Sequence, residues 1–143
     1  MPKPDPALLD PAHYPYECEI AVRISDIDVN RHVNNVALVD IFQEGRGHFL
    51  QNKFGAGQGG EYTLMVVHLT VDFVGEGKHG SPLFSRVGIA ALGRSSLTLN
   101  QLIVQNDSVI AIGTVVLVSV RNGRPAPHSN DFVNEAMRWM MAQ

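Results

Sequence analysis

The sequence has 143 residues, enough for one domain with a buried core, and its content of 45% hydrophobic and 17% charged residues excludes a disordered chain. A formal net charge of -3 argues against a general nucleic-acid binder, because contact with phosphates requires a concentrated basic face. The single cysteine, Cys18, excludes an intrachain disulfide, and no apolar run has the length of a membrane-spanning helix. With no apolar signal segment at its start, the sequence predicts a cytoplasmic protein.

The first third of the chain predicts an extended lead-in, a strand and a helix. Five prolines in residues 1–16 predict the lead-in. Alternation from Glu17 predicts a half-buried strand with an inner face of Cys18, Ile20, Val22 and Ile24. Residues 36–50 are apolar around most of a helical wheel, which predicts a helix enclosed by other structure. Asn34 or Asn35 is expected to cap this helix, and close approach to a sheet would offset the low helix propensity of Gly45 and Gly47.

The rest of the chain predicts four strands and a short helix after a glycine-rich connector at 55–60. The first strand has one face formed by Met65, Val67, Leu69, Val71 and Phe73. The others cover 83–92, 97–105 and 109–120, with a tight hairpin at Asn106-Asp107-Ser108. The last strand is apolar on both faces, so it is either central or covered by a partner. Short connections favour an antiparallel sheet, and residues 130–141 predict a C-terminal helix. We therefore expect a single α+β domain over 1–143, with a core at 17–122.

Residues 26–35 are the most polar segment and precede the predicted helix. The segment holds two carboxylates, one imidazole and three carboxamides. Turn and cap chemistry is the usual role of such residues, and it explains Asn34 or Asn35. It does not explain why Asp26, Asp28 and His32 crowd one turn. A carboxylate beside the positive end of a helix, whose free amides can bind an oxyanion, suits attack on an activated carbonyl.

Other chemistries fit this segment poorly. The first three ligands of an EF-hand calcium loop match Asp26, Asp28 and Asn30, but Arg31 and Ala37 stand where glycine and glutamate are needed. The six histidines show no zinc-ligand spacing, so no metal is expected. The G-x-S-x-G pattern of a serine nucleophile is also missing.

The pattern Asp26-Ile27-Asp28-x-x-x-His32-Val33-Asn34-Asn35, followed by an apolar helix with Glu44-Gly45-Arg46, resembles the hotdog-fold acyl-CoA thioesterases. The 4-hydroxybenzoyl-CoA thioesterase family is the nearest match, and the His-Val-Asn-Asn version is also similar to plant acyl-ACP thioesterases. The resemblance continues through 67–73 and the turn at 92–96, so it covers about 17–122. It implies a long helix wrapped by a curved antiparallel sheet of five to six strands, with subunits joined edge to edge as a homodimer or homotetramer.

The resemblance also implies roles for individual residues. Asp28 matches the family's catalytic aspartate, acting as nucleophile or as base for water, and the backbone N–H of Asn35 matches the oxyanion donor. His32 and Asn34 match assisting positions, and Glu44 is a further candidate. Coenzyme A belongs to the substrate and no separate cofactor is implied. The anionic nucleotide of coenzyme A is expected near the turn residues Arg94, Ser95 and Ser96, with Arg86 as a neighbour.

Two alternatives to an acyl-CoA thioesterase fit the sequence less well. A hotdog hydratase or dehydratase carries H-x-x-x-x-P-G with a distant glutamate, or an aspartate and histidine five residues apart. Neither pattern occurs, since Asp28 and His32 are four residues apart. A non-catalytic acyl-CoA-binding module of the same fold is the other alternative, although a binder gains little from a carboxylate beside a bound thioester.

Overall fold

The computed structural model describes residues 3–56 and 62–142, which form one helix-on-sheet unit with a short C-terminal helix. Most of the connector expected at 55–60 lies outside the described residues. The helices are α1 (Asn35–Phe54) and α2 (Asn130–Ala136). The strands are β1 (Tyr16–Ile20), β2 (Tyr62–Phe73), β3 (Leu83–Leu92), β4 (Ser96–Gln105), β5 (Ser108–Arg121) and β6 (Arg124–Pro125).

Helix α1 begins and ends at residues suited to helix termini. The side chain of Asn34 caps it, with Oδ1 accepting a hydrogen bond from the backbone N–H of Ala37 at 2.7 Å. Gly55 adopts the left-handed conformation that ends the helix, with φ of 65°. A Cβ added at Gly45 would clash with Oγ of Ser85 on β3, so the expected close approach of helix and sheet occurs there. Gly47 has nothing within 4 Å of the same position, so close approach does not account for it.

The strands form one antiparallel sheet in the order β1-β3-β4-β5-β2, with the short β6 paired to β5. The predicted antiparallel pairing is confirmed, and β5 lies inside the sheet between β4 and β2, with buried residues on both of its faces. Asn106 and Asp107 form the predicted β4–β5 hairpin with φ of 49° and 65°. On one face of the sheet, α1 packs over a core that includes Phe42, Phe49 and Leu99.

The opposite face of the sheet is partly covered by the N-terminal segment. Tyr14 is buried with Leu102 and Ile112, and its hydroxyl donates a hydrogen bond to the carbonyl oxygen of Leu8 at 2.7 Å. Burial raises the pKa of Tyr14. The expectation of an extended lead-in was wrong, because residues 6–9 and 11–13 form short 3-10 helices. Each of them has a proline at its start and an aspartate cap.

Three predicted elements differ from the structure. Strand β1 ends at Ile20, and Ile24 is 80% exposed in a 3-10 turn, so the predicted strand was too long. Cys18 is half-buried between the core clusters, and burial raises its pKa, with the charges of Glu44 and Glu17 adding to this effect. The C-terminal helix ends at Ala136, is followed by a 3-10 turn at 137–139, and does not extend to 141.

Strand β2 contains a bulge that overturns the predicted alternation. The pairing with β5 shifts between Val66 and His68, so that Val66 lies opposite Leu117 while Leu69 lies opposite Val115. Directly paired residues share a face, which places Val66 with Leu69 on the helix side. Met65 lies opposite Val118 and therefore on the other face, in contrast to the prediction.

The apolar surface of helix α1 had predicted a helix enclosed by other structure, but within this chain the helix is partly open to solvent. Val36 is 74% exposed on α1, and the facing edge strand β2 leaves Val67 61% exposed and Phe73 50% exposed. An open groove of about 670 Å³ separates the two elements. Among the described strands, β2 is the one that carries exposed large hydrophobic residues.

Candidate active site

Residues 26–34 fold into a small hairpin at the start of α1. Ile27 pairs with Val33, and the backbone N–H of Asp28 donates to the carbonyl oxygen of His32 at 3.0 Å. Arg31 adopts a positive φ of 63° to close the turn. Glycine adopts such a conformation at no steric cost, and here arginine adopts it instead.

Asp26 is a structural carboxylate at the base of this hairpin. Only 3% of its surface is exposed, and its side chain accepts hydrogen bonds from the Arg23 backbone N–H and from Nη2, both at 2.9 Å. Burial alone would raise the pKa of Asp26, but the hydrogen bonds and positive charge of Arg23 outweigh burial and hold it below its ordinary value. The backbone carbonyl of Asp26 also accepts two hydrogen bonds from Asn34, which ties the hairpin to the helix cap.

Asp28 is exposed, in contrast to Asp26. Its Oδ1 accepts hydrogen bonds from the backbone N–H groups of Asn30 at 2.9 Å and His32 at 3.3 Å. No hydrogen bond from the described residues reaches Oδ2. One carboxylate oxygen therefore orients the side chain, while the other is open to a ligand or water.

The first turn of α1 offers hydrogen-bond donors close to this loop. The first amides of a helix have no partner within it, and here Asn34 caps only that of Ala37. Among the described residues, the amides of Asn35 and Val36 have no acceptor. Both residues line the apolar groove between α1 and β2, whose other walls include Val39, Gln43, Leu69 and Phe73.

His32 is held by residues that no motif in the sequence indicated. Its Nε2 lies 3.1 Å from Glu76 Oε2, and its backbone pairs with Lys78. Glu76 and Lys78 belong to the loop between β2 and β3, which the buried side chain of Gln105 anchors. Gln105 accepts a hydrogen bond from the backbone N–H of Lys78 at 2.8 Å and donates one to the carbonyl oxygen of Lys78 at 2.7 Å. Glu76 and Gln105 are far from His32 in sequence, so no local pattern could have indicated them.

The other predicted site residues lie apart from Asp28. Glu44 is nine residues after Asn35, about 13 Å along the helix axis, with its carboxylate 3.7 Å from His48. Arg86 forms an ion pair with Glu17 and donates to the carbonyl oxygen of Pro11.

The turn at Arg94, Ser95 and Ser96 lies beyond the far end of β3. The ten residues of β3 span roughly 30 Å, so within one subunit the turn and Asp28 lie at opposite ends of the sheet. His128 holds this turn through two hydrogen bonds. Its Nε2 bonds to the carbonyl oxygen of Ser96, and its backbone N–H donates to the carbonyl oxygen of Arg94. The structure therefore does not bring this turn to the candidate site within one subunit.

The model of the thioesterase-like superfamily matches residues 22–136, and the chain belongs to this superfamily. Its architecture is the hotdog fold, a curved antiparallel sheet with a long helix, as the resemblance implied. The narrower assignment to the 4-hydroxybenzoyl-CoA thioesterase family stays a prediction. No curated protein sequence matches the chain.

Three solved structures are similar to this chain over most of its length. A protein from Pseudomonas aeruginosa strain PAO1 is 24% identical, with coverage of 92% of this chain and 95% of its own and a TM-score of 0.85. A predicted thioesterase from Bacillus stearothermophilus is 25% identical, with coverage of 90% of this chain and 98% of its own and a TM-score of 0.80. A thioesterase from Thermus thermophilus, complexed with coenzyme A and Zn, is 29% identical, with coverage of 87% of this chain and 92% of its own and a TM-score of 0.77.

The described part of the chain offers neither a metal-binding cluster nor a membrane-spanning helix. Within 3–56 and 62–142, no three His, Cys, Asp or Glu residues are placed to hold a metal ion together. No helix in these two ranges is long and apolar enough to cross a membrane.

Proposed function

We propose that the chain is an acyl-CoA thioesterase that hydrolyses an acyl thioester to a free acid and coenzyme A. The observation that carries this proposal is the placement of the exposed Asp28 carboxylate in the hairpin that leads into the free amides of α1. Asn35 and Val36, which carry these amides, line an apolar groove that can take an acyl chain. Membership of the thioesterase-like superfamily supports thioester hydrolysis as the reaction. The coenzyme A complex of the Thermus thermophilus relative supports coenzyme A as the thiol that is released.

The proposed mechanism uses Asp28 and the start of α1. The thioester carbonyl oxygen accepts a hydrogen bond from the backbone N–H of Asn35, which stabilises the developing oxyanion. Asp28 takes a proton from water as the water oxygen bonds to the carbonyl carbon. The C–S bond then breaks, and coenzyme A leaves as the thiol after taking up that proton. Attack by Asp28 itself, followed by hydrolysis of the resulting anhydride, gives the same products.

Supporting roles follow from the contacts at the site. Asn34 holds the helix start in place through its cap and its hydrogen bond to Asp26. His32, held by Glu76, orients the attacking water beside Asp28. Glu44 has no role in this mechanism, because it lies too far along α1 and is directed to His48.

The proposed active unit is a homodimer joined through β2, with a tetramer as a further level of assembly. Strand β2 is a sheet edge with exposed apolar residues, and such an edge favours pairing with a second chain. Antiparallel pairing of two β2 strands places the end of one beside the beginning of the other. Tyr62 begins β2 at the same end of the sheet as residues 94–96, since Leu97 and Met65 pair with adjacent positions of β5.

This dimer would bring the partner's turn at 94–96 to the same end of the assembly as Asp28. Arg94 is exposed and can meet a phosphate of coenzyme A, and the turn adds serine hydroxyls. The proposed coenzyme A site is therefore shared between subunits, with Asp28 from one and Arg94, Ser95 and Ser96 from the other. Arg86 has a structural ion pair and is a weaker candidate for contact with the nucleotide.

The direct test is release of free thiol from a panel of short, medium, long and aromatic acyl-CoAs. The proposal predicts catalytic turnover of at least one member, and the pattern across the panel identifies the acyl class. Tight binding of acyl-CoA with no release of thiol from any member would contradict hydrolysis and favour the non-catalytic binding module.

A further inference from the structure

Arg46, in the middle of α1, is buried, and no described residue forms an ion pair or a hydrogen bond with its Nη1. Only 8% of the residue is exposed. Burial lowers the pKa of Arg46 below its ordinary value. Arginine is almost never buried unless it is paired, because an uncompensated charge in the interior is costly. The guanidinium therefore lacks a counter-ion among residues 3–56 and 62–142.

Arg46 lies one helical turn beyond Gln43, the last residue of α1 that lines the groove. One turn earlier, the ring of Phe42 contacts Gly113 of β5. One turn later, Leu50 packs in the same cluster as Val115 and Leu117 of β5. Residues four apart share a helix face, so Arg46 lies over β5 and its neighbour β2. Val39, two turns before Arg46 on the same stripe, lines the groove that starts at Asn35.

The carboxylates on the two walls of the groove are not available to Arg46. Asp40 lies at the groove but is 3.5 Å from Arg23, and Glu44 is directed to His48. Asp72 pairs with Ile112, which belongs to the cluster on the opposite face of the sheet. A second copy packed on this surface would present the same α1 and β2 carboxylates, which already have partners or face away. These observations favour a ligand over a partner subunit as the source of the anion.

We propose that Arg46 binds the distal carboxylate of an acyl chain in this groove, so that the preferred substrates are coenzyme A thioesters of dicarboxylic acids. This inference rests on the proposed hydrolase function and names its substrate class. The thioester carbonyl lies at Asn35, the methylenes lie against Val36, Val39 and Leu69, and the free carboxylate meets the guanidinium. Bidentate pairing of arginine with a carboxylate supplies the missing hydrogen bonds.

The length of the groove sets the length of the acyl chain. Arg46 is eleven residues after Asn35, about 16 Å along the helix axis. Helix side chains lean toward the N-terminus, which brings the guanidinium nearer to the reacting carbonyl. A dicarboxylic chain of medium length spans the remaining distance, whereas the shortest dicarboxylates do not reach.

Binding of free acids tests the anion site without requiring hydrolysis. We would compare suberate and sebacate with octanoate and decanoate by calorimetry, using the wild type, Arg46→Met and the control Arg138→Met. Arg138 is exposed and follows α2, so its substitution makes the same chemical change away from the groove. The proposal predicts at least tenfold tighter binding of the dicarboxylates by the wild type and the control, and loss of this preference in Arg46→Met. Arg46→Lys, which keeps the charge, should retain part of the preference.

Thiol release from suberoyl-CoA and octanoyl-CoA then tests the link to catalysis. Arg46→Met should lower kcat/KM for suberoyl-CoA at least tenfold and leave that for octanoyl-CoA unchanged. Equal binding of both acid classes by the wild type, or a preference that survives Arg46→Met, overturns the proposal. A change of oligomeric state in Arg46→Met with unchanged acid preference also overturns it, because the anion would then come from the partner. Dicarboxylate binding that depends on Arg46 without any hydrolysis supports the anion site and contradicts the hydrolase function alone.

Discussion

At the scale of single residues, Asp26 and Asp28 show how two carboxylates in one turn come to differ. Asp26 is buried against Arg23, while Asp28 is exposed with one oxygen held by its own loop. The spacing of the two residues predicted a crowded polar turn but not which carboxylate was paired. The family resemblance singled out Asp28 as the catalytic residue, but nothing indicated the pairing of Asp26 with Arg23, because that contact depends on a 3-10 turn that the alternating pattern did not predict.

Replacement of Arg23 by methionine tests the structural role of Asp26. The pKa of Asp26 in the folded protein lies below its ordinary value, so the stabilisation from this pair is present at neutral pH. It is lost as the pH falls below about 4 and the carboxylate is protonated. Arg23→Met should therefore lower the free energy of unfolding at pH 7, and the deficit should shrink at pH 3. A deficit of equal size in urea titrations at both pH values would contradict this account.

At the scale of secondary structure elements, the sequence predicted most bounds because apolar periodicity follows burial. Strand β3 has its predicted bounds, and α1 extends from 35 to 54 where 36–50 was expected. The bulge in β2 could not be predicted, because the residues at 64–67 form a continuous apolar run that fits the alternation in either register. The 3-10 helices of the lead-in had a signal in the Asp-Pro pairs at 5–6 and 10–11, which was interpreted only as extended chain.

The two glycines of α1 provide a matched pair of substitutions. Gly45→Ala places a Cβ against Ser85, whose Cβ lies 2.6 Å from the added atom, so rotation of the serine cannot relieve the clash. We expect Gly45→Ala to lower the free energy of unfolding by about 1–3 kcal/mol. Gly47→Ala meets no atom within 4 Å and should raise it by about 1 kcal/mol through helix propensity. Urea unfolding of both variants measures the difference, and equal effects would contradict the described helix–sheet contact.

At the scale of the whole molecule, contacts distant in sequence decide how the site is built. The pairing of His32 with Glu76, and of Gln105 with the Lys78 backbone, follows from strand order rather than from any local motif. The chain alone also leaves the groove and the β2 edge open, and it separates residues 94–96 from Asp28 by the length of β3. A site assembled from two subunits accounts for both features.

Subunit complementation tests the shared site. In a heterodimer of Asp28→Asn and Arg94→Ala chains, one of the two sites would combine an intact Asp28 with the partner's intact Arg94. Mixed and refolded variants should therefore regain activity, up to half of the wild-type value for a fully heterodimeric sample. If Arg94 serves the Asp28 of its own chain, no intact site forms and the mixture stays at the mean activity of the two variants.

The most direct test of the central claim is the turnover of Asp28→Asn on the best acyl-CoA of the panel. Asp107→Asn, an equivalent change in the β4–β5 hairpin, serves as its control. We predict that Asp28→Asn lowers kcat by about 10²–10⁴-fold while acyl-CoA binding is retained, because the carboxylate acts on water or the thioester. Turnover of Asp28→Asn close to that of the control would contradict the proposed role of Asp28 and the mechanism built on it.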